Sequence, residues 1–458
     1  MKTGNTKFEI SHFYGGYMIV AVEFLNKYVF GPCIPVLLML AGFFYCFRLG
    51  FFHFLHPIKV IRGFRSDKKK DGVSSAKALA LALAGTLGVG NMVGVASAIA
   101  LGGFGAVFWM WLSALIAMIL KYAEIVLAMR HRQYDEEGRP HGAAMHYIKY
   151  CFRGKVGVIL AAVFGTFCIF NAFSMGGMIQ VNASANAMNG VFGTPQIIVG
   201  IIFALIAFVT MTRGRSGILG FTEKLVPFMT VGFVVLSVAV IAMRPSDAIL
   251  AFEKIFRDAF SFRSGLAGIG GFLLSNSLRY GTMRGILSNE AGCGTAPAAH
   301  AVSSCNEAAR QGIWGILEVF VDTILLCTMT AIVIIIGYEA VDPGGDYMMM
   351  TVTAYQSVLG DTAGYFLAIA VLLFGLATVL CWAHYGLESV GYFSKKKIFR
   401  SIFIILYSFA IAIGAVINTD IVWEAADLSI AIMTTINISA LLLLNKEVRE
   451  ETRYFLKK

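Results

Sequence analysis

Apolar runs long enough to cross a bilayer alternate with short polar connections along nearly the whole chain. A helix needs about 20 predominantly apolar residues to span the hydrocarbon core. By that measure the pattern predicts about eleven membrane-spanning helices, after a short interfacial stretch near residues 17–27. The spans are expected at residues 32–47, 76–100, 104–129, 157–188, 196–212, 224–243, 265–285, 312–337, 363–385, 399–416 and 422–444. The hydrophobic pattern therefore predicts an all-α integral membrane protein.

The second span contains the stretch LALAGTLGVGNMVGVASAIALGG at residues 81–103, which is interrupted by Gly85, Gly88, Gly90 and Gly94. Each glycine inside a helix costs about 0.8–1 kcal/mol, so this density predicts a locally unwound backbone. In a bilayer such a break is tolerated only where it lines a cavity or is buried in protein. The half-helix that begins near Asn91 would then attract an anion, and the half that ends near Thr86 a cation. Close packing of helices through small residues is the alternative explanation.

A second glycine-rich segment, GLAGIGGFLLSNSLRYGTMRG, begins near Gly265. Five predicted spans begin with each interrupted segment, and an odd number of spans inverts the second half relative to the first. Paired interrupted helices in inverted repeats indicate a secondary transporter whose site lies near the bilayer midplane. We therefore divide the chain into five parts. They are an N-terminal part with one extra span (1–75), a first repeat (76–243), an extracellular connection (244–264), a second repeat (265–444) and a cytoplasmic tail (445–458).

Composition agrees with a membrane protein and excludes a soluble domain. Of the 458 residues 58% are hydrophobic and only 14% are charged, and the mean hydropathy is +0.74. The net charge of +10 comes from lysine and arginine clusters in alternate connections, which the positive-inside rule explains without nucleic acid. The rule puts the connections near residues 48–77, 130–155, 213–224 and 395–400 in the cytoplasm. We expect a multi-pass cell-membrane protein with its N-terminus outside and its C-terminus in the cytoplasm.

No enzyme motif stands out in the sequence. The eight cysteines lack C-x-x-C spacing, and there is no zinc-ligand spacing, no Ser/His/Asp arrangement and no phosphate loop. We therefore expect neither catalysis nor a cofactor, and we expect the lipid bilayer rather than nucleic acid as the macromolecular environment.

Five amide or hydroxyl side chains are expected at membrane depth, where a polar group without a partner is costly. They are Asn91, Gln180, Asn182, Ser275 and Asn276. Beside two helix breaks they are candidates for binding a polar substrate, together with the backbone at Gly88 and Gly90. Hydrogen bonds between helices, worth about 0.6 kcal/mol on average, are the alternative role for each of them.

Charged residues inside the predicted spans are a second group of candidates. Glu318 and Asp322 lie one helical turn apart, and their partner would be a buried arginine or a cation. Arg279, Arg284 and Glu290 could form an ion pair that acts as a cytoplasmic gate. Lys121 and Glu124 lie near the inner end of a span, where snorkelling to the interface and pairing would explain them.

Four blocks of the sequence resemble the alanine or glycine:cation symporter family. They are residues 90–124 (GNMVGVASAIALGGFGAVFWMWLSALIAMILKYAE), 178–188 (MIQVNASANAM), 279–301 (RYGTMRGILSNEAGCGTAPAAHA) and 382–386 (WAHYG). The resemblance covers nearly the whole chain. It implies a LeuT-type core of ten helices in a 5+5 inverted repeat with one extra helix in front, and uptake of a small neutral amino acid with Na⁺. It also makes Trp382 a candidate substrate contact.

The sequence departs from that family at the expected ion site. Members usually read G-T-G-N at the first break, but the threonine position is Val89 here, and the hydroxyl pair of the facing span is Ala377 followed by Thr378. The remaining candidate Na⁺ ligands are Thr86, Thr378 and the backbone at Val89. We therefore expect weak Na⁺ binding, with proton coupling through Glu318 or Asp322 as an alternative. A channel or an amino-acid sensor that does not transport is the alternative from another class.

Overall fold

The computed structural model describes residue 22 and residues 24–64, 72–260 and 276–457. Within these ranges the chain is almost entirely helical. The helices of the first half are α1 (Gly31–Arg48), α2 (Phe52–Leu55), α3 (Pro57–Gly63), α4 (Ser75–Thr86), α5 (Val95–Gly102), α6 (Ala106–Arg130), α7 (Ala144–Phe152), α8 (Gly154–Phe173), α9 (Ile179–Phe192), α10 (Gln196–Thr212), α11 (Arg215–Met243) and α12 (Pro245–Ala259).

The second half continues in the same way. Its helices are α13 (Asn276–Asn289), α14 (Ala296–His300), α15 (Ala308–Val319), α16 (Thr328–Ile336), α17 (Tyr347–Leu359), α18 (Asp361–Phe393), α19 (Lys397–Gly414), α20 (Asp420–Leu443) and α21 (Asn445–Lys457). π-Helical turns at Leu25–Phe30, Gly90–Gly94, Ser174–Met178 and Phe320–Cys327 join or precede helices, and Tyr338–Ala340 is a 3₁₀ turn. A two-residue hairpin, β1 (Gln133–Tyr134) with β2 (Pro140–His141), is an exception to the all-α expectation.

The described helices include seven that are long and apolar enough to cross a membrane, and the pair Ser75–Thr86 and Gly90–Gly102 makes an eighth span. Two shorter apolar helices, Cys33–Arg48 and Gln196–Thr212, correspond to further predicted spans. The chain is therefore a multi-pass membrane protein. The second predicted interruption, residues 265–275, lies outside the described residues, so the total of eleven spans stays a prediction.

The helix break predicted from the glycines of the second span is present. α4 ends at Thr86, a new helical turn begins at Gly90, and the two halves are bent by 55°. Ser74 caps the start of α4 by accepting a hydrogen bond from the Lys77 amide at 3.3 Å. The unwound backbone therefore covers Leu87–Val89, within the stretch that has the highest glycine density.

Burial separates an inner set of helices from an outer one. In α6, 89% of the apolar window is buried inside the protein, and in α18 the value is 72%. In α11 it is only 28%, so most of that helix faces lipid. α6 packs against α13 and α15, and α18 packs against α4 and α9. The inner helices therefore hold both sides of the break.

Candidate functional site

Side chains from the break and from α9 bind the unwound backbone. The Gly88 amide donates to Asn91 Oδ1 at 3.2 Å, and the Val89 amide donates to Gln180 Oε1 at 3.1 Å. Gln180 in turn donates to the Met175 carbonyl at 3.2 Å. Two amide groups that lost their helical partners are thus satisfied inside the protein, as buried backbone groups must be.

The two glycines of the break have different surroundings. A Cβ atom at Gly88 would lie 2.8 Å from Thr378 Oγ1 and 2.9 Å from Gln180 Oε1, so only glycine fits there without movement. A Cβ atom at Gly90 would meet no atom within 4 Å apart from the neighbouring residues of its own helix. The break is therefore in tight contact with α18 and α9 on one side and open at Gly90.

The three candidate Na⁺ ligands differ in how many of their oxygen lone pairs already accept hydrogen bonds. Thr86 Oγ1 is buried and has no hydrogen-bond partner among the described residues. Thr378 donates its hydroxyl to the Phe374 carbonyl at 3.1 Å, which leaves its oxygen lone pairs free to accept. The Val89 carbonyl already accepts from the Met92 and Val93 amides. Hard cations prefer oxygen ligands. Of these three groups, only the Thr86 hydroxyl neither donates nor accepts a hydrogen bond within the described residues.

Asp322 is surrounded by uncharged donors. Asn91 donates to Asp322 Oδ1 at 2.7 Å, while Ser288 and Thr323 donate to Oδ2 at 2.8 and 2.7 Å. All of these residues are buried. The carboxylate is therefore satisfied by an amide and two hydroxyls, and Asn91 connects it directly to the break. We call Asn91, Ser288, Asp322 and Thr323 the Asp322 cluster.

Glu318 has a different environment, although it lies only one turn away. Lys121 Nζ lies 3.2 Å from Glu318 Oε1, and His300 Nε2 lies 3.0 Å from Oε2. Gln311 makes a 2.8 Å hydrogen bond to the other ring nitrogen of His300. Glu318 is thus paired with the cation of a lysine and with a histidine, and not with a buried arginine. We call Lys121, His300 and Glu318 the Lys121 cluster.

The snorkelling explanation for Lys121 and Glu124 is wrong, because both side chains are fully buried. Glu124 accepts hydrogen bonds at 2.5 Å from Asn437 and at 2.8 Å from the Gly294 amide. Tyr147 donates to Asn437 at 2.5 Å. Pairing within the protein therefore replaces contact with the interface. The signal in the sequence was a lysine and a glutamate one turn apart in the interior of an apolar helix.

Three of the predicted polar candidates lie away from the break or outside the described residues. Asn182 donates to the Gly414 and Ile417 carbonyls at 3.1 and 3.0 Å, and so caps the end of α19. Asn276 is exposed, and its backbone lies near Gly102 at the far end of α5. Ser275 is not among the described residues.

The predicted gate ion pair is not formed in the part of the chain that the structure describes. Glu290 accepts a hydrogen bond from Thr295 at 2.7 Å and is buried. Arg279 is exposed, with its guanidinium 5.5 Å from the Tyr280 ring. The acidic group that interacts electrostatically with Arg284 is Asp427 on α20. The reason is geometric, since Glu290 follows the end of α13 and turns toward the residues after it.

Trp382 is 1% exposed, and it packs on the π-helical turn that precedes α9. A Cβ atom at Gly176 would lie 2.0 Å from Trp382 Cγ, so the indole covers the backbone of that glycine. The indole Nε1 is buried without a hydrogen-bond partner among the described residues. Trp382 lies one turn after Thr378 on α18, and so borders the same part of the protein as the break.

Comparison with known proteins confirms the resemblance drawn from the sequence. The model of the sodium:alanine symporter family matches residues 17–458. The sodium/alanine symporter AgcS of Methanococcus maripaludis is 35% identical over 95% of this chain and 96% of its own length. The probable sodium/glutamine symporter GlnT of Bacillus subtilis is 30% identical over 93% and 88%.

Solved structures agree on the fold. A Na⁺-coupled sialic acid symporter superposes with a TM-score of 0.55 at 13% identity, over 85% of this chain and 81% of that one. MhsT in complex with L-phenylalanine gives 0.55 at 14% identity, over 82% and 91%. The fold is therefore of the LeuT type. The chain belongs to the sodium:alanine symporter family and is a Na⁺-coupled amino-acid symporter, not an enzyme.

Proposed function

We propose that this protein imports a small neutral amino acid, alanine or glycine above others, together with Na⁺ by alternating access. The observation that carries the proposal is the break between α4 and α5, where Gly90 faces open space beside the buried Asn91. The N-terminal end of a half-helix suits the substrate carboxylate, and the carbonyl end of the other half suits a cation. The similarity to a sodium/alanine symporter supports the same choice of substrate.

A small substrate fits the contacts around the break. Gly88 is enclosed by Gln180 and Thr378, and Trp382 covers the backbone at Gly176. These contacts leave Gly90 as the open position, where a substrate backbone could approach. A related chain carries the name of a probable glutamine symporter, so glutamine is the first larger substrate to test.

For the coupling ion we propose a weak Na⁺ site at Thr86, Thr378 and the backbone near Val89. Val89 and Ala377 remove hydroxyls that the resemblance leads us to expect, and each missing oxygen weakens an ion site about ten- to a hundredfold. The unpartnered Thr86 hydroxyl supports an ion ligand at this position. Asp322 remains the alternative as a proton carrier, because its cluster includes Asn91 from the break.

For orientation we propose an N-terminus outside and a C-terminus in the cytoplasm, with the five parts of the chain divided as the sequence predicts. Gly344 and Lys396 are both exposed and lie on connections expected on opposite faces. Single cysteines there should react with a membrane-impermeant thiol reagent from outside and from inside, respectively. The background variant replaces Cys33, an exposed cysteine, with serine. Labelling of both positions from one face would refute this orientation.

The function is tested with purified protein in liposomes. Labelled alanine should accumulate against unlabelled internal alanine, which a channel or a sensor does not achieve. At fixed pH, uptake should rise with Na⁺ and saturate only at high concentration. Saturation at low Na⁺ would contradict the weak site. Full accumulation driven by a pH gradient without Na⁺ would instead assign the coupling to a carboxylate.

A further inference from the structure

A groove lined by both basic and apolar side chains lies on the outer surface of the protein, far in sequence from the break. It has a volume of about 600 Å³ and lies between the end of α10 and the first turns of α11. Its lining includes Arg213, Ser216, Gly220, Phe221, Lys224 and Phe228. Neither helix contributes a residue to the transport site described above.

The groove is positively charged without a nearby counter-ion. Arg213 and Lys224 are exposed, and neither forms an ion pair with any residue that the structure describes. Two acidic residues that neighbour the groove residues are already paired with other cations. Glu223 binds Lys77 at 2.9 Å, and Glu388 binds Arg215 at 3.1 Å.

A third cation lies at the turn between the two helices. A Cβ atom at Gly214 would be 3.2 Å from the Arg400 guanidinium of α19, so that side chain lies over the turn. Arg400 is exposed and has no ion-pair partner in the described parts of the chain. Arg213 and Arg400 therefore lie at the turn and Lys224 lies further along α11, so an anion in the groove would be attracted by cations from both directions.

Along α11 the groove changes from polar to apolar. Ser216, Gly220, Lys224 and Phe228 follow one another at intervals of four residues, and so lie on one face of α11. A Cβ atom at Gly220 would meet nothing within 4 Å, which leaves the face open in the middle. Beyond Lys224 the face continues with exposed apolar side chains, of which Phe228 is 70% exposed and Val231 61%.

The length of α11 matches this change from polar to apolar. Its 29 residues span about 43 Å at 1.5 Å per residue, more than the roughly 30 Å of a hydrocarbon core. The extra length allows the first turns, with Ser216 and Lys224, to stand at headgroup depth. Phe228 and Val231 then reach the depth at which acyl chains begin.

We propose that this groove binds an anionic phospholipid. The lipid phosphate lies between Arg213 and Lys224, and one acyl chain runs along Phe228 and Val231. A basic residue near a bilayer surface strengthens the binding of an anionic lipid about fivefold, so the pair favours an anionic over a zwitterionic headgroup by about 30-fold. A free phosphate ion would satisfy the cations but would leave the apolar face unused.

Native mass spectrometry of the purified full-length chain tests the proposal. The protein is offered equal amounts of phosphatidylglycerol and phosphatidylcholine with identical acyl chains. The wild type should retain phosphatidylglycerol preferentially, and the double variant Arg213→Gln/Lys224→Gln should lose about tenfold or more of that preference. The matched control is Lys149→Gln/Lys155→Gln, which removes two exposed cations from α7 and α8 and should change nothing.

Two arms separate a lipid from a free anion. Inorganic phosphate and glycerol phosphate, which lack acyl chains, should not displace the bound phosphatidylglycerol at millimolar concentration. Phe228→Ser should weaken retention of both lipids and leave their ratio unchanged. Equal loss of preference in the control double variant would overturn the proposal, as would displacement by glycerol phosphate.

Discussion

The Asp322 cluster and the Lys121 cluster lie one helical turn apart, yet they satisfy a buried carboxylate in opposite ways. Glu318 faces a lysine ammonium at 3.2 Å and a histidine ring at 3.0 Å. Within the described residues, Asp322 accepts hydrogen bonds from two hydroxyls and one amide. The first arrangement joins α6, α14 and α15, whereas the second includes Asn91 from the break.

The difference indicates that the Lys121 cluster stabilises the fold and that the Asp322 cluster takes part in transport. Removing one partner of a buried ion pair leaves an uncompensated charge in the interior, so we expect the Lys121 cluster to resist rearrangement. Hydroxyl donors rotate at little cost and can turn their lone pairs toward a cation. Asn91 also holds the Gly88 amide, so any movement of the break must change the hydrogen bonds of Asp322.

The largest effect is expected from separating the charges of the Lys121 cluster. Glu318→Gln removes the carboxylate that pairs with the buried Lys121 ammonium and should destabilise the protein by about 3–5 kcal/mol. The measurement is the midpoint of thermal unfolding in detergent. The double variant Lys121→Met/Glu318→Leu removes both charges and should recover most of the loss. A wild-type unfolding midpoint in Glu318→Gln would contradict a structural role for the Lys121 cluster.

In the Asp322 cluster, the equivalent replacement of a carboxylate by an amide should reduce transport rather than stability. Asp322→Asn keeps the shape and removes the charge, so the three hydrogen bonds that the carboxylate accepts lose either their charge assistance or their acceptor. We expect alanine uptake in liposomes to fall at least about a hundredfold, with an unfolding midpoint close to that of the wild type. Wild-type uptake would exclude Asp322 from both substrate and ion coupling.

A third buried polar group, His53 on α2, has no hydrogen-bond partner among the described residues. Burial lowers its pKa from 6.5 to about 4. Between pH 6.5 and pH 4 the His53 side chain is therefore protonated in the unfolded chain but neutral in the folded protein. The free energy of unfolding decreases as the pH is lowered through this range. From pH 7 to pH 5 the loss is about 2 kcal/mol.

His53→Leu should remove that part of the acid sensitivity. The unfolding midpoint is measured at both pH values, with His56→Leu, a change at an exposed histidine next to the same helix, as the control. An unchanged pH dependence in His53→Leu would mean that the ring is protonated in the folded state.

The break was predictable because its cause is local. Four glycines within ten residues destabilise a helix wherever it packs, and the helix does end at Thr86 and resume at Gly90. The family was predictable for a related reason, since long blocks of sequence carry it.

The partners of the buried groups could not be predicted in this way. Lys121 and Glu318 lie on different helices nearly two hundred positions apart, and no periodicity connects them. Asn182 seemed a ligand for substrate because it is polar at membrane depth, but the free carbonyls at the end of α19 meet the same need. Ser288 was missed because a lone serine in a helix gives no signal until its acceptor, Asp322, is known.

Whether the break itself binds the substrate is tested most directly by one substitution at its open position. Gly90→Leu places a side chain where a Cβ atom would meet no atom within 4 Å beyond the neighbouring residues of its own helix, and Gly232→Leu does the same on the lipid-facing side of α11. Equilibrium binding of labelled alanine to the purified proteins is measured with and without Na⁺. Gly90→Leu should fold and bind no alanine, while Gly232→Leu binds as the wild type does. Unchanged alanine affinity in folded Gly90→Leu would return the glycines to a role in helix packing alone.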